Sequence, residues 1–298
     1  MIRSFVGRLG FLLLLLASAP HEDAAAESPS PIAKDITWVL NDFPPFIQVD
    51  GPLPGNGFVD AAVRYIAERM PDYNHRFEVS GIARAVGLMQ QGTPVCHPAL
   101  LPTAERMAYA VASRPVHFTL PHYVIARADR AERLRPFLDR DGRISLDSLL
   151  GAADITTSFT EQRAFAPAIQ TALAAHKGAP NILFAGVHFN APFLQMAAGW
   201  VDYIIAYPVE PRWYNAKGQA LNEQPLVYYP IAGVEDYTLG HVMCTKGPWG
   251  EAVVQRVNAI VVDAGARPPW IDTEIALSDE ASGRRLDELF TRYNPFRR

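Results

Sequence analysis

The sequence predicts an α/β protein of two lobes, each with a mixed sheet, joined by a hinge that the chain crosses twice. Two observations support this prediction. The order strand, helix, strand, helix, strand occurs twice along the chain, which is typical of sheets covered by helices. One cysteine, Cys96, lies in the first of these units, and the other, Cys244, follows the second. If the two pair, the chain returns to its first lobe after building its second.

The first unit begins with a buried strand over residues 36–40, followed by a loop that Pro44 and Pro45 hold extended. Apolar residues at helical spacing predict helices over 59–70 and 82–89, which Pro71 and Gly92 end. Alternating apolar residues predict a strand over 73–79, and a short apolar segment predicts another over 95–97.

The second unit follows a strand at 123–126 and a charged run, 127–143, which we interpret as a solvated connection. Its predicted strands and helices alternate over 155–159, 161–176, 182–185, 190–198 and 201–206. Later strands at 226–231 and 238–244 and helices at 250–263 and 286–293 complete the chain. We expect a discontinuous first lobe of residues 35–125 and 236–298 and a second lobe of residues 126–235.

The N-terminal segment has the pattern of a secretory signal peptide over residues 1–26. Arg3 and Arg8 form a positive region, residues 9–19 are almost all apolar, and three alanines end at Ala26. The apolar run is shorter than the roughly 20 residues that a membrane-spanning helix needs. We predict cleavage near Ala26 and export to the bacterial periplasm.

The composition points to a small-molecule or protein partner. The formal net charge is −4, charged residues make up 19% of the chain, and no basic run is present, so no nucleic-acid partner is expected. The histidines show none of the spacings typical of zinc sites. No phosphate-binding loop, nucleophile elbow or catalytic triad spacing is found, and no cofactor or metal is predicted.

The two cysteines lie 148 positions apart. In an oxidising compartment an isolated pair is a candidate disulfide, and closing so long a loop would stabilise the fold by roughly 5 kcal/mol. Two buried thiols, or a metal site with His97 as the extra ligand, are the alternatives. We favour the disulfide because the chain is predicted to be exported.

Four short motifs occur in order along the first unit: Phe-Pro-Pro-Phe at 43–46, Gly-Phe-Val-Asp at 57–60, Thr-Ala-Glu-Arg at 103–106 and Ser-Arg-Pro at 113–115. With these motifs the chain resembles the type 2 periplasmic solute-binding proteins of the polar amino acid class (family 3), over most of its mature length. The resemblance implies two Rossmann-like lobes, a monomer, and a ligand delivered to an ABC transporter permease or reported to a membrane sensor. Cys96 and the segment 244–250 are similar to a two-cysteine branch of this class.

The resemblance also implies a set of ligand contacts. Arg106 matches the arginine that binds the ligand carboxylate, for which the guanidinium fork is well shaped; the alternative is a surface arginine paired with Glu105. Thr160, in the segment that includes Ser158, matches the place that holds the other carboxylate oxygen, and a helix beginning there would add N–H donors. An ordinary N-cap is the alternative. Phe43 matches an aromatic ring that stacks on the ligand.

The chain also departs from the pattern of amino acid binders. Leu101 and Ala99 stand where those proteins have hydroxyl groups, and Tyr207 stands where they have the aspartate that holds the ammonium. A neutral phenol cannot replace that carboxylate, although Glu210 lies close in sequence. The anion half of the site is therefore expected, whereas recognition of an ammonium group is left open, with Glu210 as the candidate substitute for the aspartate.

The function expected from these observations is capture of a small polar, amino-acid-like solute that bears a carboxylate, between two hinged lobes, for transport or sensing. An enzyme on the same fold, such as a cyclohexadienyl dehydratase-like lyase, is the alternative. It would need a titratable group at the ligand, and Glu161, Asp202 and Glu210 are the candidates. A third possibility is a receptor that presents a lobe surface to a partner.

Overall fold

The computed structural model describes residues 34–49, 55–160, 163–186, 188–216 and 225–297. The predicted signal peptide, residues 1–26, lies outside these ranges. Within them, no helix has the length and apolar character that crossing a membrane requires.

The described ranges contain ten strands and eleven α-helices. The strands are β1 Asp35–Leu40, β2 Asn74–Val79, β3 Val95–Leu100, β4 Ala110–Thr119, β5 Tyr123–Arg127, β6 Thr157–Phe159, β7 Ile182–Phe184, β8 Tyr203–Ala206, β9 Leu226–Pro230 and β10 Thr238–Thr245. The helices are α1 Phe58–Glu68, α2 Ile82–Gln90, α3 Ala104–Met107, α4 Ala131–Leu134, α5 Leu146–Leu150, α6 Pro167–Ala175, α7 Ala191–Ala197, α8 Val209–Ala216, α9 Pro248–Asp263, α10 Pro269–Leu277 and α11 Glu280–Tyr293.

The strands form two five-stranded sheets, in the orders β2-β1-β3-β10-β4 and β7-β6-β8-β5-β9. In each sheet the first three strands are parallel, and the fourth runs antiparallel to both of its neighbours. The chain enters the second lobe through its fourth strand, β5, and returns to the first lobe through β10. This arrangement confirms the predicted class of two α/β lobes with mixed sheets and two crossovers.

Helices cover both faces of each sheet and enclose separate cores. In the first lobe, α1, α9 and α10 pack over one face, and α2 packs on the other. Trp38 and Phe46 lie in the larger of these cores. In the second lobe, α5 and α6 cover one core and α7 the other.

The disulfide between Cys96 and Cys244 is confirmed. The two residues lie directly opposite each other on β3 and β10, and both are fully buried. The bond therefore joins a strand formed early in the chain to the strand that returns from the second lobe.

The crossings between lobes are short. Residues 120–122 connect β4 to β5, and residues 231–237 connect β9 to β10. The predicted boundary at residue 125 falls inside β5, which belongs to the second sheet, so we place the proposed first boundary at residues 120–122. The predicted start of the second lobe at residue 126 moves with it, and the predicted boundary between residues 235 and 236 stays a prediction.

Two local predictions were wrong. The charged run at 127–143 is not a plain connection, because it contains α4 between two short 3₁₀ turns, Ala128–Arg130 and Arg135–Phe137. The helix predicted over 161–176 begins only at Pro167, as α6. Proline suits the first helical position and keeps the preceding Ala166 extended, so a loop separates β6 from the helix.

The motif at 57–60 fixes the loop that carries Phe43. Asp60 Oδ2 accepts hydrogen bonds from the backbone N–H groups of Gln48, at 2.8 Å, and of Gly57, at 2.9 Å. A Cβ atom at Gly57 would lie 2.2 Å from the carbonyl oxygen of Phe46, so only glycine allows this close approach. The loop after β1 is thereby held against the start of α1.

Candidate functional site

A cleft lies where the loops after β1 and β3 of the first lobe meet the loops after β6, β7 and β8 of the second. It is lined by Asn41, Phe43, Ile82, Ala99, Leu100, Leu101, Arg106, Arg163, Ala164, Phe189 and Tyr207. Its cavity volume is about 60 Å³, enough for a few water molecules at about 10–15 Å³ each. Of the predicted ligand contacts, Phe43, Leu101, Arg106 and Tyr207 lie together here.

Arg106 presents a buried guanidinium to the cleft. It lies in α3, where the Thr103 side chain accepts a hydrogen bond from the Arg106 backbone N–H at 3.3 Å. Its Nη1 donates to the carbonyl oxygen of Leu101 at 3.1 Å, and only 7% of the residue is exposed. Burial lowers the pKa of Arg106. The Tyr109 side chain hydrogen-bonds to the guanidinium and the Glu105 charge attracts it. No carboxylate of the described chain forms an ion pair with it, so a bound anion would be its ion-pair partner.

Asn41, which the sequence analysis did not identify, is a second donor on the cleft. Its Oδ1 lies 2.7 Å from Nε2 of His97, while Nδ1 of His97 accepts the backbone N–H of Ala99 at 3.1 Å. These contacts fix the histidine tautomer and the amide orientation. Burial lowers the pKa of His97 to about 3, so the ring stays neutral. The buried Nδ2 of Asn41 has no hydrogen-bond partner in the described part of the chain.

Arg163 and Glu210 form a buried ion pair at the same cleft. The Arg163 guanidinium donates to both carboxylate oxygens of Glu210, with Nη1 3.2 Å from Oε2. The Arg163 side chain is 6% exposed and that of Glu210 is 0% exposed. Burial lowers the pKa of Arg163, but the Glu210 carboxylate more than offsets this effect and the pKa is raised. Glu210 Oε1 also accepts the backbone N–H of Tyr207 at 2.8 Å.

Four aromatic rings surround the Arg163 guanidinium, and we call them the aromatic cage. Its Cζ atom lies 5.2 Å from the ring centroid of Phe43, 5.8 Å from Phe165, 5.6 Å from Phe189 and 5.4 Å from Tyr207. Each distance is within the roughly 6 Å over which a cation is attracted to a ring face. Phe43 comes from the first lobe, and its ring centroid lies 4.4 Å from that of Phe189 in the second.

Behind the aromatic cage, the His122 ring packs at a tilt against the Tyr207 ring, with 3.8 Å between ring centroids. Neither ring nitrogen has a hydrogen-bond partner in the described chain. Burial and the nearby Arg163 charge lower the pKa of His122. The ring is therefore a neutral packing partner where the chain first crosses between lobes.

Thr160 and Ser158 do not line this cleft. They border a separate crevice that has no room for a water molecule, and Arg163 lines both this crevice and the cleft. Thr160 Oγ1 donates to the carbonyl oxygen of His188 at 3.4 Å. The predicted helix N-terminus at Thr160 is wrong because α6 begins at Pro167. Their role as ligand contacts stays a prediction.

The candidate acids of the enzyme alternative have different surroundings. Glu161 lies outside the described residues, and Glu210 is held by Arg163. Asp202 is paired with Arg133 at 2.6 Å and with Arg130 at 3.5 Å. No cluster of three or more potential metal ligands occurs in the described ranges.

Glu210→Gln should lower the free energy of unfolding by about 3 kcal/mol, because it leaves the Arg163 charge buried without its counter-charge. Urea denaturation would measure the loss. The double variant Arg163→Met/Glu210→Gln, which removes both charges, should recover most of it. Glu288→Gln, whose side chain is 69% exposed, is the control. If the double variant is less stable than the single one, the destabilisation is not due to an unpaired charge.

No family model matches the chain, and no curated protein matches its sequence. Solved structures do match it. The periplasmic VFT2 domain of BvgS from Bordetella pertussis is 14% identical, with 87% of this chain and 93% of that domain covered and a TM-score of 0.55. The P235GK mutant of ArgBP from T. maritima is 15% identical, with 87% and 95% covered and a TM-score of 0.53.

A third structure concerns glutathione import via GshT and the cystine ABC importer TcyBC of Streptococcus mutans. It is 11% identical, with 88% of this chain and 95% of that chain covered, and its TM-score is 0.57. These likenesses show the fold. The chain has the two-lobe fold of type 2 periplasmic solute-binding proteins, as the sequence resemblance implied.

Proposed function

We propose that this protein is an exported, periplasmic solute-binding protein that holds a small carboxylate-bearing ligand between its two lobes. The observation that carries the proposal is the guanidinium of Arg106, buried at the cleft and paired with no carboxylate of the described chain. A buried charge without a counter-charge is costly, and an anion bound there would supply one. Asn41 Nδ2 offers a further donor on the same cleft.

The hinge supports a trap-like action. Two crossings join the lobes in the described chain, and ligands of open α/β sheets bind in crevices at the carboxyl ends of strands. A ligand that contacts both lobes favours the closed arrangement by the free energy of those contacts. The solved structures with a similar fold include the substrate-binding protein of an amino acid ABC transporter and the periplasmic VFT2 domain of BvgS. Delivery to a transporter or to a membrane sensor is consistent with both.

Arg106→Gln should weaken carboxylate binding by about 10- to 100-fold, because a hydrogen bond to a charged group contributes about 1.5–3 kcal/mol. The measurement is calorimetric titration with formate, acetate, lactate and succinate, after a thermal-shift screen. Arg140→Gln, which removes an arginine whose side chain is 95% exposed, is the matched control and should bind as the parent does.

Two outcomes would contradict the proposal. The first is that no carboxylate shifts the melting temperature of the parent protein. The second is that Arg106→Gln and Arg140→Gln bind equally well. Chromatography of the titrated compounds tests the enzyme alternative, since a bound compound recovered chemically unchanged supports a binding protein and a converted one supports an enzyme.

A further inference from the structure

The two arginine side chains at the cleft differ in whether a carboxylate neutralises their charge. Two guanidinium groups, those of Arg106 and Arg163, line it. Arg163 is neutralised by Glu210 through both carboxylate oxygens, whereas Arg106 has a backbone carbonyl and the Tyr109 side chain as hydrogen-bond partners and forms no ion pair within the described chain. The lining therefore carries one uncompensated positive charge.

In the described part of the cleft, the carboxylate and side-chain amide oxygens that could receive a ligand cation are already engaged. The Glu210 carboxylate is fully buried beneath Arg163 and also accepts from the backbone of Tyr207. Oδ1 of Asn41 is held by His97, and the carbonyl oxygen of Leu101 by Arg106. A ligand ammonium or guanidinium group would be desolvated near two guanidinium groups without a counter-charge, which is strongly unfavourable.

The aromatic cage is itself a cation-binding arrangement, and the protein fills it with its own side chain. Four rings lie within 5.2–5.8 Å of the Arg163 Cζ atom, and a carboxylate lies against its nitrogens. Rings and a carboxylate around a guanidinium are what a site for a cationic ligand would offer. Arg163 lies on a loop of the second lobe but contacts Phe43 of the first, as a ligand bound between the lobes would.

We propose that Arg163 is a built-in occupant of the cation-binding part of the cleft, and that the solute is consequently a small organic anion without a cationic group. This inference rests on the proposed function, since it specifies the ligand of the same site. Arg106 and Asn41 provide the donors for the anion. The Arg163–Glu210 pair excludes α-amino acids and other zwitterions.

Matched pairs of ligands test the specificity in the unmodified protein. L-lactate and L-alanine, L-phenyllactate and L-phenylalanine, and L-2-hydroxyglutarate and L-glutamate differ only in that a hydroxyl replaces the ammonium group. At least one hydroxy acid should bind, and its amino acid should bind at least about tenfold more weakly, since burying an unpaired charge costs more than about 1.4 kcal/mol. Equal or tighter binding of the amino acid overturns the inference and leaves the proposed function standing.

A second experiment tests the aromatic cage independently of the anion. Arg163→Ala removes the guanidinium and leaves Glu210 and the four rings, so N-ethylguanidinium, which replaces the deleted atoms, should bind there. At saturation it should raise the melting temperature of Arg163→Ala by at least about 3 °C and leave the unmodified protein unchanged. Arg163→Ala/Glu210→Ala is the matched control, because it offers the same space without the carboxylate, and it should not respond.

The outcomes separate the two proposals. If N-ethylguanidinium raises the melting temperature of Arg163→Ala but not that of the double variant, the proposal that Arg163 occupies a cation-binding site is supported. No rescue, or equal rescue of the double variant, overturns it whatever the carboxylates do. If neither these compounds nor the carboxylates of the thermal-shift screen bind the unmodified protein, the proposed function is overturned, and the ligand class inferred here fails with it. Should Arg163→Ala fold poorly, the ligand pairs still decide the inference.

Discussion

Replacing Cys96 and Cys244 with alanine should lower the free energy of unfolding by about 5 kcal/mol. The disulfide closes a loop of 148 positions, and the chain-entropy model assigns about 5 kcal/mol to a loop of that length. The loop contains every strand of the second sheet. Without the bond, the unfolded chain gains freedom while both cysteine positions remain buried in the folded protein. Urea denaturation would report the change as a lower midpoint.

Reductant provides the control for this prediction. A reducing agent should lower the urea midpoint of the unmodified protein towards that of the double alanine variant and leave the variant unchanged. Alanine also removes two buried sulfur atoms, which alone would destabilise the variant, but this effect does not respond to reductant. A variant as stable as the unmodified protein would contradict the entropic argument.

Glu274→Gln should stabilise the protein by about 5 kcal/mol at pH 8.5 and have little effect near pH 4.5. Glu274 lies in α10 and is 1% exposed, and burial raises its pKa from 4.5 to about 8, although a hydrogen bond with Thr119 lowers it in part. The folded protein therefore keeps a proton that the unfolded chain releases. Its free energy of unfolding falls as the pH rises from about 4.5 to about 8, by roughly 1.4 kcal/mol per unit. Glutamine, which does not titrate, removes this loss.

The measurement is urea denaturation at half-unit steps between pH 5 and pH 8.5. Glu280→Gln, whose side chain is 87% exposed, should follow the unmodified protein at every pH. Burial also raises the pKa of Asp60, to about 6, but this slope is present in all the proteins compared. Parallel curves for Glu274→Gln and the unmodified protein would show that Glu274 does not titrate in this range.

The main elements of the fold are predictable because their patterns are local. The apolar run 36–40 corresponds to β1, and the apolar spacing over 59–70 corresponds to α1. The strand β4 was not predicted, because Pro115 and polar residues interrupt its apolar pattern. Proline is tolerated there since β4 is the last strand of its sheet. The helix α10 was not predicted either, because Pro268 and Pro269 suggest a break in the chain, although proline also suits the start of a helix.

The site is predictable only in part, for the same reason. Arg106 and Phe43 lie in short motifs that the sequence displays directly. The ion pair between Arg163 and Glu210 joins residues 47 positions apart, and no local sequence pattern predicts it. One signal was present: Pro167 places the helix start beyond Arg163, which leaves that arginine in a loop at the carboxyl end of a strand, where ligands are met. Asn41 follows β1 in the same way.

The contact of Phe43 with Phe189 across the cleft has a consequence for the speed of capture. With rings from both lobes in contact over Arg163, we expect the proposed solute to reach Arg106 while the lobes stand apart. The association rate at high solute concentration is then limited by how often the hinge opens, rather than by diffusion. The apparent affinity is the intrinsic affinity multiplied by the fraction of molecules that are open. Mutations at the ring contact are therefore expected to change the association rate and the affinity together.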